Sequence, residues 1–363
     1  MTSKDSLLKR LFRIITNIIK TIWSDLSSGD LISTLQRDLK SIYQFYLDDE
    51  TRSRLSAMKR FRRWIYLTVL VLKSVILKLT PTRRVLLLLS ILMIFFGSRS
   101  EQNSYLQLGF LILLFILIFE LKDKLLAFDE LAEARNLQLS MLPKTFPEHP
   151  NIDIAFYMKT ANTVGGDYYD FREMDDGTLI IVIGDATGHS MKAGVIVTAM
   201  KSLFGAIGSN PDISAFFNSC TKIFKGMNLG YLYMSLTLIR IKNHLLTASI
   251  AGMPPILLYK SKSKTIEEIS EGGVPLGFIE CQYKKTDIEL EPGDTILLMS
   301  DGFPELLNDK EEMLDYPKIK EYFKETAHRS PEEIISLLSN AAEKWRNNIP
   351  QEDDIAIVVL QAK

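Results

Sequence analysis

The pattern of hydrophobic and polar positions changes near residue 150. Before it, apolar residues fall at helical spacing or in long runs, and after it they form short alternating or β-rich runs. The apolar runs at 64–79, 85–97 and 105–121 predict three helices, and a continuous helix is predicted over 120–142, ending at Pro143. The pattern therefore predicts a helical first part followed by a mixed α and β second part.

The three apolar runs predict a membrane region over residues 64–121. Lys73 and Lys78 are costly at a bilayer centre, so the run at 64–79 is predicted to be an interfacial or partly buried helix. The other two runs carry no charge until Glu120, and they predict a short transmembrane hairpin of about 20 and 25 Å in a core of about 30 Å. The alternative is a pair of buried helices in a soluble protein. Basic residues on both flanks place both ends of the hairpin in the cytoplasm.

Charge and cysteine content narrow the class of protein. Residues 1–84 carry 17 Lys and Arg against 7 Asp and Glu, whereas the rest of the chain carries 26 against 37. A basic N-terminal part next to apolar runs fits binding to an anionic membrane surface better than binding to nucleic acid, so no nucleic-acid partner is predicted. Residues 1–63 are predicted to form a basic helical cytoplasmic region, and the apolar positions from Leu7 to Ile22 fit equally well a helix that lies in the lipid headgroup region. The two cysteines form no metal-binding pair and fit a reducing compartment.

The second part, 151–363, is predicted to be an α+β domain of antiparallel sheets with helices packed outside. Seven runs predict strands: IDIAFYM, TLIIVIGD, MSLTLIRI, HLLTASIAG, ILLY, DTILLMSDG and DIAIVVL. Helices are predicted near 190–207, 213–228, 317–327 and 332–347. Short turns such as DDGT at 175–178 join consecutive strands, which favours antiparallel pairing over βαβ units.

Acidic residues mark four predicted strand ends. Asp167 lies in VGGDYYDF, Asp185 and Asp301 close two strands, and Asp353 and Asp354 precede the last one. Carboxylate oxygens are ligands that Mg²⁺ and Mn²⁺ prefer. Each placement alone is more often a simple turn. Spacing by itself leaves open whether these acids converge.

The ordered motifs VGGDYYDF, IGDATGHSMKAG, AGMPPILLY, GGVPLGF, PGDTILLMSDGFPEL and DDIAIVVL carry a resemblance. From about residue 133 to the C-terminus, the chain resembles the SpoIIE-type branch of the metal-dependent, type 2C-like (PPM) serine/threonine protein phosphatases. The resemblance implies a four-layer α-β-β-α sandwich of two antiparallel sheets over 151–363. Residues 122–150 would then be a linker or signalling helix.

The same resemblance implies the site and its chemistry. Asp167, Asp185, Asp301 and Asp353, with the backbone carbonyl of Ala186, match the residues that hold two divalent cations, Mn²⁺ or Mg²⁺. A water bridging two such cations would be acidified and attack phosphorus in line.

The implied substrate is a phosphoserine or phosphothreonine on a STAS-type anti-sigma-factor antagonist in a partner-switching pathway. The expected location is the bacterial inner membrane, multi-pass, with the catalytic domain in the cytoplasm. A homodimer through the 120–142 helix and docking of this helix onto its own domain both remain open. A further hypothesis is that this helix carries a signal to the metal site.

Departures from the family pattern keep a rival open. Ser190 stands where GHG is common, and Met253 replaces the histidine of the usual AGH. The rival is a non-catalytic, membrane-tethered interaction module with a phosphatase fold. A GGDEF-type cyclase is disfavoured because Tyr168 stands where that chemistry needs an acid. His189 is more readily a structural hydrogen bonder than a ligand.

The aromatic residues around Asp167 have a simpler interpretation. Tyr168, Tyr169 and Phe171 are predicted to pack in a strand, while Asp170 has no assigned role.

Overall fold

The computed structural model describes Thr16, Lys20 and residues 60–99, 103–145, 148–161, 165–188, 191–208, 210–228, 230, 232–347 and 349–363. The helical region predicted over residues 1–63 therefore lies almost entirely outside the described residues. The chain divides into two compact units, Met1–Asp123 and Lys124–Lys363, and the boundary between them falls inside a helix. Each unit is considered by itself below.

Three helices follow one another from residue 60: α1 (Arg60–Lys78), α2 (Pro81–Gly97) and α3 (Asn103–Met141). Pro81 occupies the first turn of α2, where its missing N–H costs nothing. In the first unit, α2 packs antiparallel on the start of α3. A Cβ built on Gly97 would lie 2.5 Å from the Leu106 nitrogen. At the other end, Arg83 donates to Glu120 and Asp123, each at 2.6 Å.

The expected pair of transmembrane spans is supported for one helix only. Among the described residues, α3 is the one helix that is long and apolar enough to cross a bilayer by length and composition. Helix α2 has 17 residues, which is shorter than the roughly 20 residues that a spanning helix needs. The described part of the chain therefore gives no support for a multi-pass topology. The predicted helices 105–121 and 120–142 are in fact one continuous 39-residue helix.

The described residues of the second unit form ten strands in two five-stranded antiparallel sheets. Sheet A has the order β1-β10-β9-β6-β7 and sheet B the order β2-β3-β4-β5-β8. The strands are β1 (Ile152–Lys159), β2 (Asp167–Glu173), β3 (Leu179–Ala186), β4 (Met234–Lys242), β5 (Leu245–Ala251), β6 (Ile256–Lys260), β7 (Thr265–Ile269), β8 (Thr286–Glu289), β9 (Thr295–Met299) and β10 (Ile355–Ala362).

Four helices cover the outer faces of the sheets: α4 (Met191–Gly205), α5 (Ile213–Gly226), α6 (Asp315–Thr326) and α7 (Pro331–Arg346). Alternation along the strands divides their side chains between two faces. Ile181 of β3 and Val358 of β10 lie in the core between the sheets. Val182 faces the core under α4 and α5, and Val359 faces the core under α6 and α7. The unit is thus a four-layer α-β-β-α sandwich, as expected.

The predicted elements of this unit are confirmed with two omissions. All four helices and the seven predicted strands are present, and the aromatic run after Asp167 forms β2. Strands β7 and β8 were not predicted. Both are short edge strands of four or five residues with mostly exposed side chains, so they lack the apolar runs that marked the other strands.

Candidate metal centre

Asp167 and Asp185 lie opposite each other at the open end of the β2–β3 hairpin. They are register partners in sheet B, and partners across an antiparallel pair share one face of the sheet. The hairpin closes at the DDGT turn, where Gly177 has a φ of 72° that a glycine adopts without strain. The turn therefore sets the register that pairs the two acids.

Asp301 and Asp353 come from the adjoining end of sheet A. β9 and β10 are antiparallel neighbours, so the residues after β9 meet those before β10. Contact here is close: a Cβ on Gly302 would lie 2.0 Å from the Asp354 carbonyl oxygen and 3.3 Å from the Asp353 Cβ. The glycine after Asp301 thereby lets the two acidic segments approach each other.

Two hydrogen bonds join the acidic ends of the two sheets. The Ser300 hydroxyl, directly after β9, donates to the Asp167 carboxylate at 2.8 Å. The Gly166 N–H, directly before β2, donates to the Asp354 carboxylate at 2.6 Å. Sheet A and sheet B therefore bring Asp167, Asp185, Asp301 and Asp353 to one edge of the sandwich, and these four residues are called the acid cluster below.

The pKa values of the acid cluster show that its carboxylates crowd one another. Burial first, and then the charges of Asp185 and Asp354, hold the pKa of Asp167 well above its usual range. Burial, with Asp301 and Asp353, raises the pKa of Asp185 to about 7. Burial and Asp353 also raise the pKa of Asp301. Mutual repulsion of this kind is relieved when a cation binds among the carboxylates.

The two consecutive acids before β10 have different surroundings. Asp354 is 1% exposed, and its carboxylate accepts the backbone N–H groups of Ala161 at 2.7 Å and Gly166 at 2.6 Å. Asp353 is partly exposed and adjoins Asp301. Asp354 therefore holds a loop in place, and Asp353 remains the acid of this pair that faces the cluster.

The donor set fits hard divalent cations, although it is not a closed coordination shell. Among the described residues, no three Asp, Glu, His or Cys side chains already converge as ligands. All the donors present are carboxylate or carbonyl oxygens, which suits Mg²⁺ and Mn²⁺. A Cβ on Gly166 would lie 2.5 Å from the Ala186 carbonyl oxygen and 2.8 Å from Asp185 Oδ1. The glycine thus leaves both oxygens uncovered.

Three residues near the cluster were missed from sequence. Glu305 contributes to the raised pKa values of Asp185 and Asp301. It lines a cleft of about 190 Å³ with Gly302, Leu306, Leu307, Pro350, Glu352 and Asp353. Its position four residues after Asp301 was the available signal. Ser300 and Gln138, by contrast, gave no chemical signal, because their role depends on contacts between distant segments.

The unassigned Asp170 now has partners. Tyr168 Oη and Lys201 Nζ both donate to Asp170 Oδ2 at 2.7 Å, tying β2 to α4. Tyr168 and Tyr169 are buried in the core beneath α4 and α5, as expected for strand packing.

Met253 lies in the core between the sheets and is 9% exposed. His189 and Ser190 lie outside the described residues.

Comparisons with known proteins agree with this architecture. The family model for Stage II sporulation protein E (SpoIIE) matches residues 175–363. The phosphoserine phosphatase RsbU of Bacillus subtilis is 25% identical over 242 residues, covering 65% of this chain and 70% of RsbU. The SiaA-PP2C domain of Pseudomonas aeruginosa superposes with a TM-score of 0.58 at 20% identity, covering 66% of this chain and 98% of that domain. The RsbU and RsbW domains of a Mycobacterium tuberculosis protein superpose with a TM-score of 0.53 at 20% identity, covering 61% of this chain and 63% of that chain.

Proposed function

Since the chain belongs to the SpoIIE family, we propose that it is a metal-dependent serine/threonine protein phosphatase that acts in sigma-factor regulation. The observation that carries the proposal is the acid cluster, in which four strand ends from two sheets place carboxylates at one edge. A fold used only for binding has no need to keep these mutually repelling acids together, since each raised pKa is a cost to folding.

The proposed ligands are Asp167, Asp185, Asp301 and Asp353, with the carbonyl oxygen of Ala186. They would hold two divalent cations, Mn²⁺ or Mg²⁺. When bound, such cations neutralise phosphoryl oxygens and acidify a water molecule.

Other residues of the chain prepare the site. Ser300 fixes one oxygen of Asp167 by its 2.8 Å hydrogen bond, which leaves the other oxygen for a ligand. Asp354 fixes the backbone of Gly166, and Gly166 in turn accepts the Ala186 N–H at 3.0 Å. The Ala186 carbonyl is thereby held beside Asp185. A preorganised site of this kind binds its ligand without a further ordering cost.

The proposed substrate is a protein carrying phosphoserine or phosphothreonine, and specifically a STAS-type anti-sigma-factor antagonist. The similarity to RsbU, a phosphoserine phosphatase, supports this substrate class. Removing the phosphate would allow the antagonist to release a sigma factor by partner switching.

The proposed location is the bacterial inner membrane, with the catalytic unit in the cytoplasm. The apolar first half of α3 supports a membrane anchor, since large side chains such as Leu111 and Leu117 are more than 60% exposed within the described structure. The second half of α3 also exposes Phe128 and Leu137, which supports a homodimer through this helix. Sedimentation of the full chain in detergent, with Phe128→Glu as the variant, tests the dimer.

Hydrolysis of a phosphate monoester tests the central proposal. The full chain should hydrolyse p-nitrophenyl phosphate and a phosphorylated STAS protein with added Mn²⁺ and lose this activity in EDTA. Asp185→Asn should lower the rate at least a hundredfold. Asp176→Asn is the matched control, because Asp176 lies in the turn at the opposite end of the same hairpin and pairs with Lys242. Equal rates for wild type and Asp185→Asn would refute the assignment.

A further inference from the structure

Gln138 is a buried polar residue on a helix whose other side chains are mostly exposed. It is 6% exposed, whereas its neighbours Leu137 and Leu139 are 67% and 37% exposed. From Lys124 to Met141, every residue is described, and Gln138 is the one buried position. Burial of a flexible amide costs free energy unless its polar atoms are paired, so its partners define its role.

The Gln138 side chain pairs with both backbone groups of a single residue, Gly165. Its Nε2 donates to the Gly165 carbonyl at 2.7 Å, and its Oε1 accepts the Gly165 N–H at 3.3 Å. This double pairing fixes the position and the orientation of one peptide segment, much as a neighbouring strand does. A side chain with one hydrogen bond would leave that segment free to rotate.

The segment that Gln138 holds leads directly into the acid cluster. Gly166 is held by Asp354 from the other side, and Asp167 begins β2 with its carboxylate bonded to Ser300. No side chain fits in this segment, since a Cβ on Gly165 would lie 2.6 Å from Asp354 Oδ2. Gln138 and Asp354 therefore clamp the Gly165–Gly166 backbone between them.

We infer that Gln138 is a positioning residue through which the place of helix α3 sets the geometry of Gly165, Gly166 and Asp167. Arg135, one turn earlier, adds a contact on the same side by donating to the Thr160 hydroxyl at 3.1 Å. Displacement of α3 by a fraction of a turn breaks both Gln138 hydrogen bonds and releases the backbone next to Asp167. The state of α3 is thereby linked to cation affinity. This linkage rests on the proposed metal-dependent phosphatase, but the clamp itself is independent of catalysis.

The test compares three variants of the full chain. Gln138→Met keeps the side-chain length and removes both hydrogen bonds, and Gln138→Glu keeps the acceptor alone. Asn136→Ala alters an exposed residue of the same helix and is the matched control. Amide hydrogen exchange is followed by mass spectrometry in peptides covering 160–170, and Mn²⁺ binding is measured by calorimetry without substrate.

In Gln138→Met, the amide hydrogens of the 160–170 peptides should exchange at least tenfold faster than in the wild type, while those of the β3–β4 peptides should exchange at the wild-type rate. It should need about tenfold more Mn²⁺ for half-saturation, and its rate at saturating Mn²⁺ should return to within twofold of wild type. Gln138→Glu should lie between Gln138→Met and wild type, and Asn136→Ala should match wild type.

Unchanged exchange at 160–170 in Gln138→Met overturns the inference. The inference is also overturned if Gln138→Met exchanges faster by the same factor over the whole unit and binds Mn²⁺ normally, because that result indicates a general loss of stability. If the wild type binds Mn²⁺ but hydrolyses no ester, the phosphatase proposal fails, while exchange and binding still decide the role of Gln138. If the wild type binds no Mn²⁺, the exchange comparison alone decides the clamp.

Discussion

Neutralising Asp353 and Asp354 one at a time should produce opposite defects, although the two acids are adjacent in sequence. Asp354 accepts two buried backbone N–H groups, at 2.7 and 2.6 Å. Asp353 accepts the Asp354 N–H at 2.7 Å and faces the acid cluster. We expect Asp354→Asn to lose stability and Asp353→Asn to lose metal binding.

The magnitude follows from the hydrogen bonds. A hydrogen bond to a charged group contributes about 1.5–3 kcal/mol, and an unpaired buried donor costs about 1–3 kcal/mol. The asparagine oxygen at position 354 can serve one N–H, but its amide NH₂ then faces the other. The free energy of unfolding of Asp354→Asn should therefore be about 2–4 kcal/mol lower than that of the wild type. For a unit of this size, about 2–4 °C is lost per kcal/mol, so the melting temperature should fall by roughly 5–15 °C.

Asp353→Asn has a different expected outcome. The asparagine oxygen at position 353 still accepts the Asp354 N–H, and one charge leaves a repelling cluster, so metal-free stability should stay within about 1 kcal/mol of wild type or rise. Half-saturation with Mn²⁺ should need at least tenfold more metal.

The assay is thermal and urea unfolding in EDTA, followed by Mn²⁺ calorimetry on the same samples. An equal loss of stability in the two variants, or normal Mn²⁺ binding by Asp353→Asn, would show that the roles of the two acids are wrongly assigned.

Three further outcomes are expected. In EDTA, Asp185 should lower the stability by up to about 4 kcal/mol between pH 4 and pH 7, because the folded carboxyl, with a pKa of about 7, keeps its proton where the unfolded carboxyl, with a pKa of 3.8, has lost it. Urea unfolding should show this slope, and Asp185→Asn should make it shallower, with the raised pKa values of Asp167 and Asp301 leaving a remainder. A slope as steep in the variant as in the wild type would contradict the assignment. Tyr168→Phe removes a buried hydroxyl donor, so the free energy of unfolding in urea should fall by about 1 kcal/mol while Mn²⁺ binding stays unchanged. A changed Mn²⁺ affinity would mean that the packing of β2 affects the position of the metal ligands. Gly166→Ala should weaken Mn²⁺ binding at least tenfold, because the added Cβ would lie 2.5 Å from the Ala186 carbonyl oxygen. Gly205→Ala is the control and should bind Mn²⁺ normally, because its Cβ meets no atom within 4 Å.

Much of the second unit was predictable because its elements carry local signals. Strands such as β3 and β10 are runs of branched apolar residues, and α7 begins with Ser330 as its N-cap and Pro331 in its first turn. Edge strands β7 and β8 could not be recognised, since their side chains are largely exposed and polar. The single long helix α3 was predicted as two pieces because its apolar and charged halves have different compositions, although nothing in the backbone interrupts it.

The sequence by itself determined which residues are acids at strand ends, where the four helices of the second unit lie, and which stretches are apolar, because these depend on neighbours within a few positions. Only the tertiary structure decided which acids meet, which of Asp353 and Asp354 holds the loop, and what Gln138 contacts. Those outcomes depend on strand register and on how two sheets pack, which bring together residues such as Ala161 and Asp354 that are 193 positions apart. Contacts at that separation leave no periodic trace in a single chain, so they become visible only when the chain is folded.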